Sequence, residues 1–211
     1  MPNLASISAD KLYAALGGVA FAVFLLVLDM IKTTITQWRE NRKKAKQSSF
    51  VYLAEKQVLL DQATERICLE TKADHISLYR LHNGEFFEGN DSIKKMSMVS
   101  ESLGRVGMGR WKSASQSLLM SDFPHLVLAL DGAAKQAYYC MNPDNVLDFE
   151  MGRLMNEREY ETSVALLIRG KKDKPLAVLM LNWCTDRRTL TDLNTTELEG
   201  YRRDLSFTLS D

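Results

Sequence analysis

The sequence predicts an α+β protein: an N-terminal transmembrane helix, a long linker helix, and an antiparallel sheet flanked by helices. Three observations predict it. Leu12–Leu28, LYAALGGVAFAVFLLVL, passes without a charge. No Gly or Pro interrupts residues 19–83, so a helix can run far into the chain. Near the C-terminus, two apolar runs flank a short polar loop and precede a capped amphipathic segment. With 45% hydrophobic and 26% charged residues, the chain has the composition of a packed globular protein.

The apolar run comes first. Seventeen helical residues rise about 25 Å, slightly short of a hydrocarbon core of about 30 Å, and Ile7, Met30 and Ile31 extend it. Leu12, Leu16, Phe21, Phe24 and Leu28 mark the span, while Ala14, Gly18 and Ala22 recur every four residues as a face where two such helices pack closely. A cleaved signal peptide places positive charge before its apolar run. Here the basic cluster follows, so the segment reads as an uncleaved single-pass anchor. Lys32, Arg39, Arg42, Lys43, Lys44 and Lys46 lie after it and Lys11 alone before it, which places the C-terminal bulk in the cytoplasm, at the inner (plasma) membrane. Arg39, Arg42, Lys43, Lys44 and Lys46 read either as a segment against anionic headgroups, worth about 1 kcal/mol per residue, or as a solvated face with a topogenic role only.

The boundaries that follow are 1–31 for the tail and span, 32–72 for the basic segment and linker helix, and 73–211 for the folded domain. In the linker, Phe50, Leu53, Val58, Leu60 and Ile67 recur near helical spacing, predicting an amphipathic helix from Ser48 to Lys72. The apolar seam lapses between Arg39 and Gln47, so a single unbroken coiled coil is not expected.

The domain opens with HISLYRLHN, His75–Asn83, where Ile76 and Leu78 alternate with Ser77 and Tyr79 as in a strand. LHNGEFFEGN, Leu81–Asn90, then reads as the bend after it. His82 and Glu85 have the chemistry of a base and an acid, but no nucleophile accompanies them, and no catalytic residue is assigned. KMSMVS, Lys95–Ser100, alternates again. GRVGMGRW, with Gly104, Gly107, Gly109, Arg105 and Arg110, has groups that hold a phosphate or carboxylate, yet it matches neither GxGxxG nor the P-loop and reads as a flexible loop.

Ser121-Asp122 before Phe123-Pro124 predicts a capped short helix ending near Asp131-Gly132. His125 within it has no cysteine or carboxylate at ligand spacing, so no metal is expected. QAYYCM, Gln136–Met141, reads as a strand, and Met151, Leu154 and Met155 as helical. SVALLIR and LAVLMLNWC are two strands joined by GKKDKP, apolar on both faces like a central pair covered on each side. Asn194 and Glu197 form a capping box, with Leu193 and Leu198 as its staple; Leu198, Tyr201, Leu205 and Leu209 give the stripe of a final helix.

Charge and cysteine exclude other classes. Residues 48–211 carry 20 basic and 24 acidic side chains, no footprint for nucleic acid. Cys68, Cys140 and Cys184 are odd in number and far apart, so neither a disulfide framework nor a metal knuckle is expected.

This order of elements, from the leading helix through LYRLHNGEFFEGN, SDFPHLVLAL and QAYYCM to the hairpin and the helix after TLTDLNTTELEG, resembles the GAF domain over residues 50–211. The resemblance implies a six-stranded antiparallel sheet with helices on both faces, and a pocket that takes a small ligand or a domain that holds a dimer. Tyr79, His82, Asn83, Phe86, Arg110, Trp111 and Trp183 are the pocket candidates it suggests. No bilin-attachment cysteine or cyclic-nucleotide motif stands in the chain, so no cofactor is expected. LAVLMLNWCTDRRTLTDLNTTELEG also resembles the end of the T-even-type phage holins, lysis proteins with one span and a soluble domain beyond the membrane. That family carries its basic tail before the span, which implies the opposite orientation. The combined expectation is a non-enzymatic, membrane-anchored GAF-like module, a homodimer through its span and linker helix, whose partners are the bilayer and a small ligand or protein.

Overall fold

The computed structural model describes residues 25–42, 49–86, 92–131, 138–185 and 194–210. The chain divides into two units between Leu53 and Ala54. Residues 25–42 form helix α1, in which Thr34 and Thr36 return their hydroxyls to the carbonyls of Met30 and Lys32, each at 2.8 Å, and Arg42 lies 4.0 Å over the Trp38 ring. Among the described residues, no helix is long and apolar enough to cross a membrane. Leu12, Leu16, Phe21 and Phe24, the packing triplet Ala14, Gly18 and Ala22, and the basic residues Lys43, Lys44 and Lys46 lie outside the described residues; Leu28, Arg39 and Arg42 lie on α1.

The second unit is built on β1 (His75–Phe86), β2 (Ser92–Leu103), β3 (Leu118–Leu119), β4 (Tyr138–Met141), β5 (Thr162–Arg169) and β6 (Pro175–Trp183). They form one antiparallel sheet in the order β3-β2-β1-β6-β5-β4. The hairpin β5–β6 is central and buried on both faces, as its unbroken apolar runs predict. LHNGEF continues β1 rather than bending away, because Leu81, His82 and Asn83 pair with Met96, Lys95 and Lys94. The sequence signal there is two glycines, and β1 runs through the first of them.

One face is covered by α2 (Phe50–Thr71) and α5 (Thr195–Ser210). The α5 stripe is as the spacing predicts, with Leu198, Tyr201, Leu205 and Leu209 all buried. Asn194 caps this helix, its Oδ1 accepting the Thr196 amide at 3.1 Å while its Nδ2 donates to Glu197 at 2.8 Å. Leu193, the other half of the expected staple, lies outside the described residues.

The α2 stripe differs from expectation. Its buried residues are Leu60, Thr64, Ile67 and Cys68, while Phe50, Leu53 and Val58 are exposed. The reason is polar docking: Thr64 and Ser100 share a hydroxyl bond of 2.8 Å, and Ser100 donates to Asp61 at 2.6 Å, which turns the helix by its polar side chains.

The other face is covered by α3 (Pro124–Asp131) and α4 (Phe149–Glu157). Pro124 opens α3 as predicted, but Asp122 belongs to a preceding 3-10 turn and does not cap it. The role passes to Asp148, whose carboxylate accepts the amides of His125 and Leu126, each at 2.8 Å. A carboxylate 22 positions further along is no part of a local capping signature.

Candidate functional site

Polar side chains concentrate on the α3/α4 face, at the end of the sheet where β1 begins and β6 ends. Alternation along β1 puts Ile76 and Leu78 into the core under α2 and α5, and Ser77 and Tyr79 onto the opposite face. His75 is fully buried there. Its Nε2 lies 3.0 Å from Glu101 Oε1, its Nδ1 is hydrogen-bonded to the Tyr160 hydroxyl, and the His75 and Tyr160 rings stack with centroids 5.8 Å apart. Glu101 Oε1 also accepts the Trp111 amide at 2.6 Å, which ties the loop after β2 to the cluster. Burial raises the Glu101 carboxyl, but the bonds from His75 and the Trp111 amide outweigh it and hold the group below the usual carboxylate range.

Arg158 sits beside this relay. Met151, Leu154 and Met155 bury one face of α4, and Arg158 follows at the next position of the same stripe, just past the helix end. Its guanidinium donates to Ser115 at 2.8 Å and Tyr79 at 3.4 Å and lies 5.0 Å over the Trp111 ring. All three partners are neutral groups. Burial pushes the Tyr160 hydroxyl upward, so this neighbour stays protonated and offers a dipole rather than a countercharge. Two buried polar atoms here have no partner among the described residues, Arg158 Nε and Glu101 Oε2.

Space adjoins Arg158 on two sides. Inside, a residual cavity of about 10 Å³, room for about one water, lies among Tyr79, Met151, Met155, Arg158, Met180 and Asn182. Outside, a pocket of about 280 Å³ is lined by the 105–109 loop, Trp111, Arg158 and Cys184. Gly104, at the head of that loop, cannot carry a side chain, since a Cβ would stand 2.2 Å from the Ala73 carbonyl. Gly107 adopts φ +86°, a left-handed backbone that glycine accepts without cost.

Of the residues expected in a pocket, Tyr79 and Trp111 lie in this cluster. Trp183 does not: it is buried in the core on the opposite face, because β6 alternation groups it with Leu179 and Leu181. His82 and Asn83 are exposed near the far end of β1, bonded to Ser97 at 3.0 Å and Lys94 at 2.9 Å. Arg110 is exposed, and the side chain of Phe86 lies outside the described residues. His75, Glu101, Ser115, Arg158 and Tyr160 are the residues that sequence reasoning passes over. One signal was present, since 151, 154, 155 and 158 form a helical stripe whose last member is an arginine. Among the described residues, no group of three His, Cys, Asp or Glu side chains is placed to hold a metal ion.

No family model matches the chain, and no curated protein matches its sequence. Solved structures do resemble it. A GAF domain of PixJ from Thermosynechococcus elongatus, in its blue-light absorbing form, superposes with a TM-score of 0.53 at 11% identity, covering 76% of this chain and 86% of that one. A GAF domain/HD domain protein from Geobacter sulfurreducens gives 0.53 at 11% identity over 73% and 91%. A phycoerythrobilin-bound GAF domain from a cyanobacterial phytochrome gives 0.52 at 11% identity over 73% and 87%. The fold is therefore GAF-like, an α+β architecture with a six-stranded antiparallel sheet, as the element order predicts.

Proposed function

We propose that the chain is a single-pass membrane-anchored, GAF-like sensory module, dimeric and non-enzymatic, which binds a small ligand against the α3/α4 face of its sheet. The observation that carries the binding reading is the cluster His75, Glu101, Arg158 and Tyr160, buried on that one face. Packing alone gains nothing from charges there, because buried ionised groups cost free energy unless they meet partners. A pocket with a few convergent polar groups is what small-molecule recognition needs. The neighbours on the same fold include one whose ligand is a bilin, and the inner cavity among the described residues, about 10 Å³, is far smaller than such a chromophore requires. A smaller ligand fits the proposal.

The anchor reading is supported by the uncharged Leu12–Leu28 run and by α1, which exposes Leu26, Met30, Ile31 and Trp38. The dimer reading is supported by α2, whose Phe50, Val51, Leu53, Val58 and Leu59 face solvent in the single chain and would pack against a twin. The basic residues after the span direct the domain to the cytoplasm. The module would pass ligand occupancy along α2 to the membrane.

Native mass spectrometry of the full chain in mild detergent tests the binding and dimer readings together. A retained small molecule on a dimer is the expected result; a bare monomer at all concentrations sinks both. Protease treatment of sealed inner-membrane vesicles tests the topology, and digestion of the C-terminal domain only after the cytoplasmic face is accessible is expected.

A further inference from the structure

The buried guanidinium of Arg158 calls for a countercharge that the described chain does not supply. The residue is 7% exposed, yet its contacts are a hydroxyl, the two phenols of Tyr79 and Tyr160 and an aromatic face, and no ion pair reaches it among the described residues. Buried charges in proteins are paired as a rule, since an unpaired one forfeits its hydration without return. Arg158 also borders the outer pocket, where a second cation, Arg105, stands on the loop and the wall between is Gly107 to Gly109. A Cβ at Gly107 or Gly109 would meet nothing within 4 Å, so that wall is open.

The acids near the pocket are accounted for. Glu157 lines it, but its carboxylate is taken by Arg153 at 2.7 Å. The Asp74 carboxylate accepts the Cys184 amide at 2.7 Å. Glu159 is exposed on the rim, where water screens it. Glu101 holds His75 and the Trp111 amide through Oε1, and its Oε2 reaches no partner among the described residues, Arg158 included.

We infer that the outer pocket binds the anionic group of a small ligand, a carboxylate or a phosphate, with Arg158 as its buried countercharge and Arg105 as a second, exposed one. The inference rests on the binding-module reading and adds the chemistry of the ligand. The guanidinium fork suits either anion, because both present paired oxygens to adjacent N–H groups.

The test is thermal unfolding of the full chain in mild detergent, titrated with sodium phosphate in one arm and sodium acetate in the other, with chloride holding ionic strength constant. A saturable rise in unfolding temperature in at least one arm, absent with chloride alone, is expected, and the arm that responds names the anion. Arg158→Met keeps the side-chain stem and removes the charge. It should unfold no lower than the parent in anion-free buffer, since an apolar replacement of a buried unpaired charge is neutral or stabilising, and its anion response should weaken about 10- to 100-fold. A merely structural arginine gives the reverse: a lower unfolding temperature and an unchanged anion response. Should Arg158→Met not fold, Arg105→Gln on the exposed loop decides, and an unchanged response there overturns the inference. A retained ligand without an acidic group, together with no response in either arm, overturns the inference while the binding-module reading stands. No retained ligand and no anion response sinks both.

Discussion

On the face under α2 and α5, the buried core is Leu, Ile, Val and Ala with Cys68, Trp183 and Tyr201, without a methionine; on the face under α3 and α4, six of the chain's ten methionines are buried with a histidine, an arginine and a tyrosine pair around them. The two layers share one sheet and one set of strands. Their difference shows how a fold divides labour. Branched aliphatic side chains have few rotamers and lock α5 and α2 to the sheet. Methionines adapt their shape, so the layer they fill can re-pack around a guest without losing burial. The polar cluster stands in the adaptable layer.

The sharpest way to break that comparison is to remove one partner of the buried polar pair. His75→Phe preserves ring volume and leaves Glu101, whose side chain is 1% exposed, without its imidazole. The carboxylate keeps the Trp111 amide but loses its imidazole partner, and a lost hydrogen bond to a buried charged group costs about 1.5–3 kcal/mol. Urea unfolding of the full chain, followed by circular dichroism, should show that loss. A change below about 1 kcal/mol would mean that the polar layer is solvated and that the two faces are less different than their side chains imply.

Leu205→Ala probes the other layer. Leu205 is fully buried in the centre of the α5 stripe, and truncation leaves a cavity between helix and sheet that a rigid aliphatic layer cannot close. The expected cost is about 2–5 kcal/mol in the same measurement. The equivalent truncation among the methionines, whose neighbours can collapse into the gap, should fall at the lower end of that range.

How much of this was legible follows the same division. The aliphatic layer was readable because its residues sit at fixed local spacing: the stripe 198, 201, 205, 209 and the run of β5 need only periodicity. The polar layer was not, since His75, Glu101 and Tyr160 come from β1, β2 and the start of β5's approach, and each residue alone is common. Trp183 is a pocket candidate by the GAF resemblance, but strand parity sends it to the other face. Large apolar residues alone misplace the α2 stripe, because the Thr64 hydroxyl bonded to Ser100 decides which side docks. The GRVGMGRW loop carries no known motif and reads from sequence as a flexible loop. Its pocket depends on Arg158, about fifty residues away.

Acid sensitivity separates the layers more gently. The Glu101 carboxyl titrates below its usual range in the folded chain, so its ionised form contributes stability above the unfolded value, about pH 4.3, and that contribution is lost as pH falls through the lower folded value. Urea midpoints taken between about pH 6 and pH 3 should therefore decline. Glu101→Gln should flatten the decline, while Leu205→Ala should lower the whole curve without changing its slope. An equal slope in Glu101→Gln would assign the acid sensitivity to other carboxylates.

The smallest expected effect concerns the caps, where the contrast is local against remote. Asn194 caps α5 from the adjacent position and is exposed, so its Oδ1 can be replaced by water when the side chain is lost. Asn194→Ala should cost about 1 kcal/mol, and the loss should register as fraying of the first turn before it reaches the global transition. Asp148 does the same work for α3 from another segment, is 3% exposed, and joins the start of α4 to the start of α3. Water cannot take its place without opening that junction. Hydrogen exchange at the Thr196 and Glu197 amides in Asn194→Ala, set against His125 and Leu126 in Asp148→Ala, measures this directly. Faster exchange confined to two amides is expected in the first case, and faster exchange spreading from α3 into α4 in the second. Equal, confined changes in both would show that the α3/α4 layer is held by its methionine packing alone and that its polar junctions are dispensable to the fold.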